Sequence, residues 1–216
     1  MVNERRPGRG QGQRVRQVTR ERLLATAETM FLTRGFAGTA VDAIADEAGY
    51  TTGAVYSNFG GKADLFLAVL EKAAEEQLAA IRAALEAART DEQRLELFTT
   101  AFTRNPAEWQ ARVAATIEFL SYARRHPELH GRMMAAQRLA DDATAELLSA
   151  LCRALGVEPP ADPQEITREV NALINGLAIR SLFDDELDVA PAISRAINSL
   201  LTGDRSDLQA IHRVDR

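Results

Sequence analysis

Between Thr51 and Lys62 the chain gathers side chains suited to touching a polyanion: Thr51, Thr52, Tyr56, Ser57 and Asn58 carry hydroxyl or amide groups, and Lys62 closes the run with an ammonium. Val55 and Phe59 are four apart, so on a helix both point inward and Thr52, Gly53, Tyr56 and Ser57 face out. Thr52 or Ser57 can then hydrogen-bond base edges or phosphates, the Ala54 methyl can meet a thymine methyl, and Tyr56 can reach a phosphate oxygen. The first amides of such a helix offer unpaired N–H groups and a positive dipole end to phosphate, as does the next helix, opened by Lys62. Gly53 is the oddity, because glycine inside a short helix costs about 1 kcal/mol relative to alanine. Close approach to a duplex groove accounts for it. The blander alternative is that Thr51, Thr52 and Gly53 merely shape a helix start while Tyr56 packs on its own domain.

Other chemistries fail on spacing. Gly61-Lys62 could end a phosphate loop, but that loop needs a glycine five residues before Gly61 and Ser or Thr after the lysine, where the chain has Tyr56 and Ala63. His126 and His130 have the spacing of helical metal ligands, yet Pro127 interrupts them and no metalloprotease carboxylate pattern surrounds them, so they read as surface histidines on a loop. Cys152 stands alone, without a disulfide partner or a CxxC half-site, and no Gly-x-Ser-x-Gly elbow occurs. The expectation is a protein that is not an enzyme and needs neither metal nor cofactor.

The elements that must position these residues read as helices. Apolar residues recur at helical spacing: Leu23, Leu24, Ala27, Met30 and Phe31, then Val41, Ile44, Ala45 and Ala48, then Val55 and Phe59, then Leu65, Phe66, Val69 and Leu70. Thr19 is placed to cap the first helix, and Thr39 with Asp42 resembles a capping pair for the second. Breaks near Thr90, Asn105–Pro106, His126–Pro127, 156–163 and 184–191 divide the remainder into further helices, about nine in all. Two helices parted by Gly49, the second about two turns long, have the spacing of a helix-turn-helix unit.

Composition is that of an ordinary globular chain: 46% of the 216 residues are hydrophobic and 26% charged. No apolar run approaches the roughly 20 residues of a membrane span, and the N-terminus lacks the apolar block of a secretory signal. A cytoplasmic location is the simplest expectation. The net charge of −5 hides a split: residues 1–20 hold six arginines against Glu4, a sum of +5, so the rest carries −10. Residues 1–18 read as a flexible basic arm rich in Arg, Gly and Gln. Its Arg14 and Arg16, with Arg20 beside it, could follow a duplex backbone or enter its minor groove.

The run Ala45-Asp46-Glu47-Ala48-Gly49-Tyr50-Thr51-Thr52-Gly53-Ala54-Val55-Tyr56-Ser57-Asn58-Phe59-Gly60-Gly61-Lys62 resembles the DNA-binding domain of the tetracycline-repressor (TetR) family, a likeness that covers residues 19–70. It implies a three-helix DNA-binding domain over 19–65 and a larger helical effector-binding and dimerisation domain over 66–216. It also implies base or phosphate contacts among Thr39, Thr51, Thr52, Gly53, Ala54, Tyr56, Ser57, Asn58 and Lys62. The expected partners are a double-stranded palindromic operator, a second copy of the chain, and a small-molecule effector of unknown identity that releases a repressor from DNA. Activation instead of repression, or a helical small-molecule-binding protein with a vestigial head, are the alternatives.

In the larger part, Trp109, Phe119, Tyr122 and Met133 could line an effector cavity with Arg112, Gln137 or Asn175 as polar anchors, although aromatics at helical spacing are more often core. Ile166, Val170, Leu173, Ile174 and Leu177, then Ile193, Ile197 and Leu200, form broad apolar stripes that need a partner surface. Burying them as a four-helix bundle between two subunits, over 164–184 and 190–202, would set two reading helices about 34 Å apart for successive major grooves.

Overall fold

The computed structural model describes residues 9–100, 105–159, 161–184, 186–189 and 191–195. Among the described residues there is no strand, and the architecture is all-α as expected. The helices are α1 (Arg9–Arg34), α2 (Val41–Ala48), α3 (Thr52–Phe59), α4 (Lys62–Ala87), α5 (Asp91–Thr100), α6 (Pro106–Ala123), α7 (Pro127–Leu155) and α8 (Pro163–Ser181). Residues 191–195 are helical as well.

Local chemistry sets the ends. Gly49 (φ 77°) and Gly60 (φ 88°) adopt the left-handed conformation that stops α2 and α3. Each turns its N–H back onto the helix it ends, Gly49 to the Asp46 carbonyl and Gly60 to the Tyr56 carbonyl. Pro opens α6, α7 and α8, where a missing N–H costs nothing. Asn105 and Asp162 cap α6 and α8 by accepting from the backbone N–H groups of Glu108 and Gln164.

Two compact units divide the chain between Glu71 and Lys72. In the first, α2 packs on α1 and on α3. Its core holds Leu23, Ala27, Met30, Phe31, Ile44, Ala45, Ala48, Val55, Leu65 and Phe66, largely the stripes the periodicity marks. Phe36, in the turn after α1, completes an aromatic trio: its ring lies 5.1 Å from Phe66, and Phe66 lies 4.9 Å from Phe31, both edge to face. In the second unit α8 packs against α6 and α7, and α5 against α7. Ile81, Phe98, Leu147, Leu148, Leu151 and Cys152 meet Ile166, Val170 and Ile174 there.

Four expectations need correction. The helical α1 begins at Arg9, so residues 9–18 are not a flexible arm, and Thr19 caps nothing: it sits inside α1 and its hydroxyl donates to the Val15 carbonyl at 3.0 Å. Nor does Thr39 pair with Asp42 as a cap, because Ala40 occupies the cap position of α2 without a side-chain bond. The fourth concerns the stripe on α8. Ile166, Val170, Ile174 and Ile193 are buried in this chain's own core, and Leu177 packs on its edge, so they are not a seam awaiting a second subunit. Both sides of α8 are apolar, and α6 and α7 cover the one bearing Ile166, Val170 and Ile174. Leu173, Ile179 and Phe183 remain exposed. Ile197 and Leu200 lie outside the described residues.

Candidate nucleic-acid interface

The short α3 takes its orientation from one residue. Val55 is fully buried, which turns Gly53, Tyr56 and Ser57 to the exposed side, with Tyr56 55% exposed and Thr52 and Ala54 half-buried beside them. Thr51, the exposed residue before α3, makes no side-chain cap bond, so the first amides of α3 point outward without that partner. A Cβ built at Gly53 would meet nothing nearer than Thr51 Oγ1 at 3.7 Å. The protein's own packing therefore does not demand glycine there, and what the missing side chain keeps clear is the outward face. The Ser57 hydroxyl and the Asn58 amide both donate to the Ala54 carbonyl, at 3.1 and 2.8 Å, which ties these side chains to α3 itself.

The basic residues are less available than their charge suggests. Lys62 Nζ donates to the Ala37 carbonyl at 3.3 Å and lies 4.6 Å from the Phe36 ring centroid, holding the start of α4 to the turn after α1. Arg16 donates to the Ser57 carbonyl at 3.1 Å, and the Arg20 guanidinium stacks 4.4 Å over the Phe59 ring. Arg14 is exposed and lies about 200° around α1 from Arg16, on the far side from α3. Thr39 is removed as a side-chain contact: it is buried, with its hydroxyl 2.7 Å from the Gly35 carbonyl and 3.2 Å from that of Met30. Neither use of Phe36 nor of Phe59 is legible locally, since each partner lies tens of residues away in the chain.

The residues expected to line an effector cavity stand in different surroundings. Phe119 is fully buried, and Trp109 packs on the core of the second unit. Tyr122 is partly exposed with its ring stacked on His126 at 4.2 Å, and Asn175 is exposed on α8. Arg112 pairs with Glu108, and Gln137 donates to Asp141 at 2.9 Å, while Met133 is half-buried. His126 is the residue before α7 and His130 lies in its first turns, not on a loop. Among the described residues no three His, Cys, Asp or Glu side chains group as metal ligands. A groove of about 1100 Å³ instead runs between the end of α4, α5, the C-terminal half of α7 and the start of α8. Arg82, Glu86, Arg94, Asp142, Glu146 and Arg153 are among its lining residues, and none of the seven expected residues is.

A short helix presenting hydroxyls, a glycine and a tyrosine outward, set by a tight turn on a second short helix and followed by a separate helical unit, defines a helix-turn-helix regulator. Residues 23–69 match the family described as bacterial regulatory proteins, tetR family, and residues 91–202 match the C-terminal part described as BetI-type transcriptional repressor. The chain belongs to the tetR family of transcriptional regulators. It is 35% identical over 102 residues to the transcriptional activator FasR of Mycolicibacterium smegmatis, a match that takes in 46% of this chain and 47% of that protein, about half of each. A TetR transcription regulator from Haloarcula marismortui superposes with a TM-score of 0.68 at 22% identity, covering 87% of this chain and 98% of that one. The regulator FadR from Bacillus subtilis, solved with stearoyl-CoA, gives 0.61 at 14% identity, covering 85% and 98%. At these identities the solved structures establish the fold. Among the described residues no helix is long and apolar enough to cross a membrane.

Proposed function

We propose that the chain reads a palindromic operator in double-stranded DNA as a homodimer, and that a small-molecule effector in its helical body changes operator affinity. The observation that carries this is the contrast within α3, where Val55 is fully buried and Tyr56 is 55% exposed beside Gly53 and Ser57. Residues 19–65 then serve as the DNA-binding domain and 66–216 as the effector and dimerisation domain, a division that the two compact units support. Of the arginines in residues 1–18, Arg5, Arg6, Arg9 and Arg14 add positive charge to the N-terminal part of the chain, with salt-dependent affinity as the consequence.

The dimer proposal moves to the side of α8 that is still uncovered. Ala172, Gly176 and Ile179 follow one another at helical spacing and are exposed, and Phe183 just past the helix is 83% exposed. The two small residues would let a partner helix approach closely, and the two large ones would supply apolar area. An effector acts only through its preference for one arrangement of the two heads. The groove at Arg82, Glu86, Arg94 and Arg153 supports an effector bearing charged or polar groups. The protein works by binding, in the cytoplasm where its operator is, without a catalytic step or a cofactor.

Repression is the first reading, supported by the description of the C-terminal match. Activation is the second, supported by the likeness to FasR. A selection on random duplex DNA at physiological salt, followed by anisotropy titration of the parent and Tyr56→Phe, tests the common part. Recovery of a palindrome bound more weakly by Tyr56→Phe supports operator reading. Sequence-blind binding that both proteins share equally would leave a vestigial head on a ligand-binding body.

A further inference from the structure

The last turn of α3 carries no basic residue of its own, although its final carbonyls form the negative end of the helix dipole. Gly60 satisfies the Tyr56 carbonyl from within the chain's local turn. The next carbonyl, that of Ser57, is satisfied from α1, 41 residues earlier, by Arg16 Nη2 at 3.1 Å. One turn further along α1, the Arg20 guanidinium lies 4.4 Å over the ring of Phe59, the residue that ends α3. Arg16 and Arg20 are four apart and therefore share one face of α1. Two cations on one helix thus meet two positions at the end of the reading helix.

Arg20 is also poorly placed to serve a phosphate with its whole fork. Its Nη1 is buried and has no hydrogen-bond partner, so that donor is turned into the protein and away from any duplex. On α3 the Asn58 Oδ1 is likewise buried without a partner, while the amide nitrogen of the same side chain is spent on the Ala54 carbonyl. The end of α3 is thus joined to the protein by a guanidinium stack and a charged hydrogen bond as well as by apolar packing, which comes mainly from Val55. Val55 fixes which side of this two-turn helix faces inward, and the Gly60–Gly61 turn joins its end to α4. The cations from α1 supply a further point of attachment at that end.

We propose that Arg16 and Arg20 are positioning residues that clamp the end of α3 onto α1 and so set the angle at which the reading helix presents Tyr56 and Ser57. The proposal rests on the operator-reading function above, and it gives these two arginines of α1 a different task from a direct phosphate contact. Removing a clamp loosens α3 and weakens base reading. Removing an arginine that neutralises a phosphate lowers affinity for every sequence and reduces the salt slope by about one.

The test uses the full chain as the parent and as Arg16→Ala, Arg16→Lys and Arg20→Ala, each first shown to unfold cooperatively. Two readouts are made: amide exchange over Tyr56–Phe59 in the DNA-free protein, and affinity for operator and for random duplex across a salt series. The clamp predicts faster exchange in α3 for both alanine variants. It also predicts a loss of about tenfold in operator affinity with random-duplex affinity and salt slope unchanged, and partial recovery in Arg16→Lys, which keeps a cation at the helix end. Unchanged exchange in α3 would overturn it, as would a salt slope reduced by about two per dimer with operator and random affinity falling together. If the parent prefers no sequence at all, the operator reading fails, and the exchange measurement still decides whether the clamp exists.

Discussion

Lys62 Nζ sits 4.6 Å from the centroid of the Phe36 ring and donates to the carbonyl of the next residue, Ala37. Because Phe36 also meets Phe66 edge to face at 5.1 Å, the first residue of α4 and the turn after α1 are fastened at one aromatic ring. This contact has a measurable coupling. In a double-mutant cycle of Lys62→Ala and Phe36→Leu, read by urea unfolding, the two changes should fall short of additivity by about 0.5 to 1 kcal/mol. Strict additivity would show that the cation and the ring do not stabilise one another.

Gly53 separates stability from function. The Cβ of Gly53→Ala has room, with Thr51 Oγ1 as its nearest neighbour at 3.7 Å, and alanine is the better helix former. The variant should unfold at a higher temperature, with a gain of up to about 1 kcal/mol. Operator affinity should nonetheless fall, because the methyl group stands on the face offered to the groove. Equal or tighter operator binding would mean that the outward face of α3 does not approach the bases.

The two sides of α8 should respond in opposite ways. Ile174→Ala removes a side chain from the core and is expected to cost about 2 to 5 kcal/mol in unfolding free energy. Phe183→Ser and Ile179→Ser alter residues that are 83% and 44% exposed, and should leave the folded chain intact while weakening self-association in sedimentation. A monomeric parent at micromolar concentration, or serine variants that associate as the parent does, would refute this assignment of the interface.

Cys152 is 2% exposed, and burial raises its thiol pKa, with the charge of the adjacent Arg153 offsetting part of the rise. A native thiol that holds its proton more tightly than the unfolded one costs stability as pH climbs through the ordinary thiol range, near 8.5, and costs nothing well below it. Iodoacetamide labelling at pH 8 should accordingly run at least about tenfold slower in the native protein than in urea. Similar rates in both would place the thiol at the surface.

Much of the fold is written in local chemistry. The stripes Leu23, Ala27, Met30 and Phe31, then Ile44, Ala45 and Ala48, then Val55, mark three helices and their buried faces, because a 3.6-residue period dictates which side chains share a face. Gly49 and Gly60 mark the turns, since only glycine enters the left-handed region without strain. The run from Ala45 to Lys62 carries enough of this to identify the helix-turn-helix and the outward side of α3.

The rest depended on which surfaces meet. Both sides of α8 are apolar, so a periodic pattern cannot say that Ile166, Val170 and Ile174 go to the core while Ile179 and Phe183 remain outside; that is decided by where α6 and α7 lie. Charge has the same ambiguity. Arg16, Arg20 and Lys62 read along the chain as hands held out to a polyanion, yet each finds a partner at least 25 residues away, in the Ser57 carbonyl, the Phe59 ring and the Ala37 carbonyl. A side chain's type and spacing determine what it is able to bind, and only the packing of distant segments determines what stands within its reach.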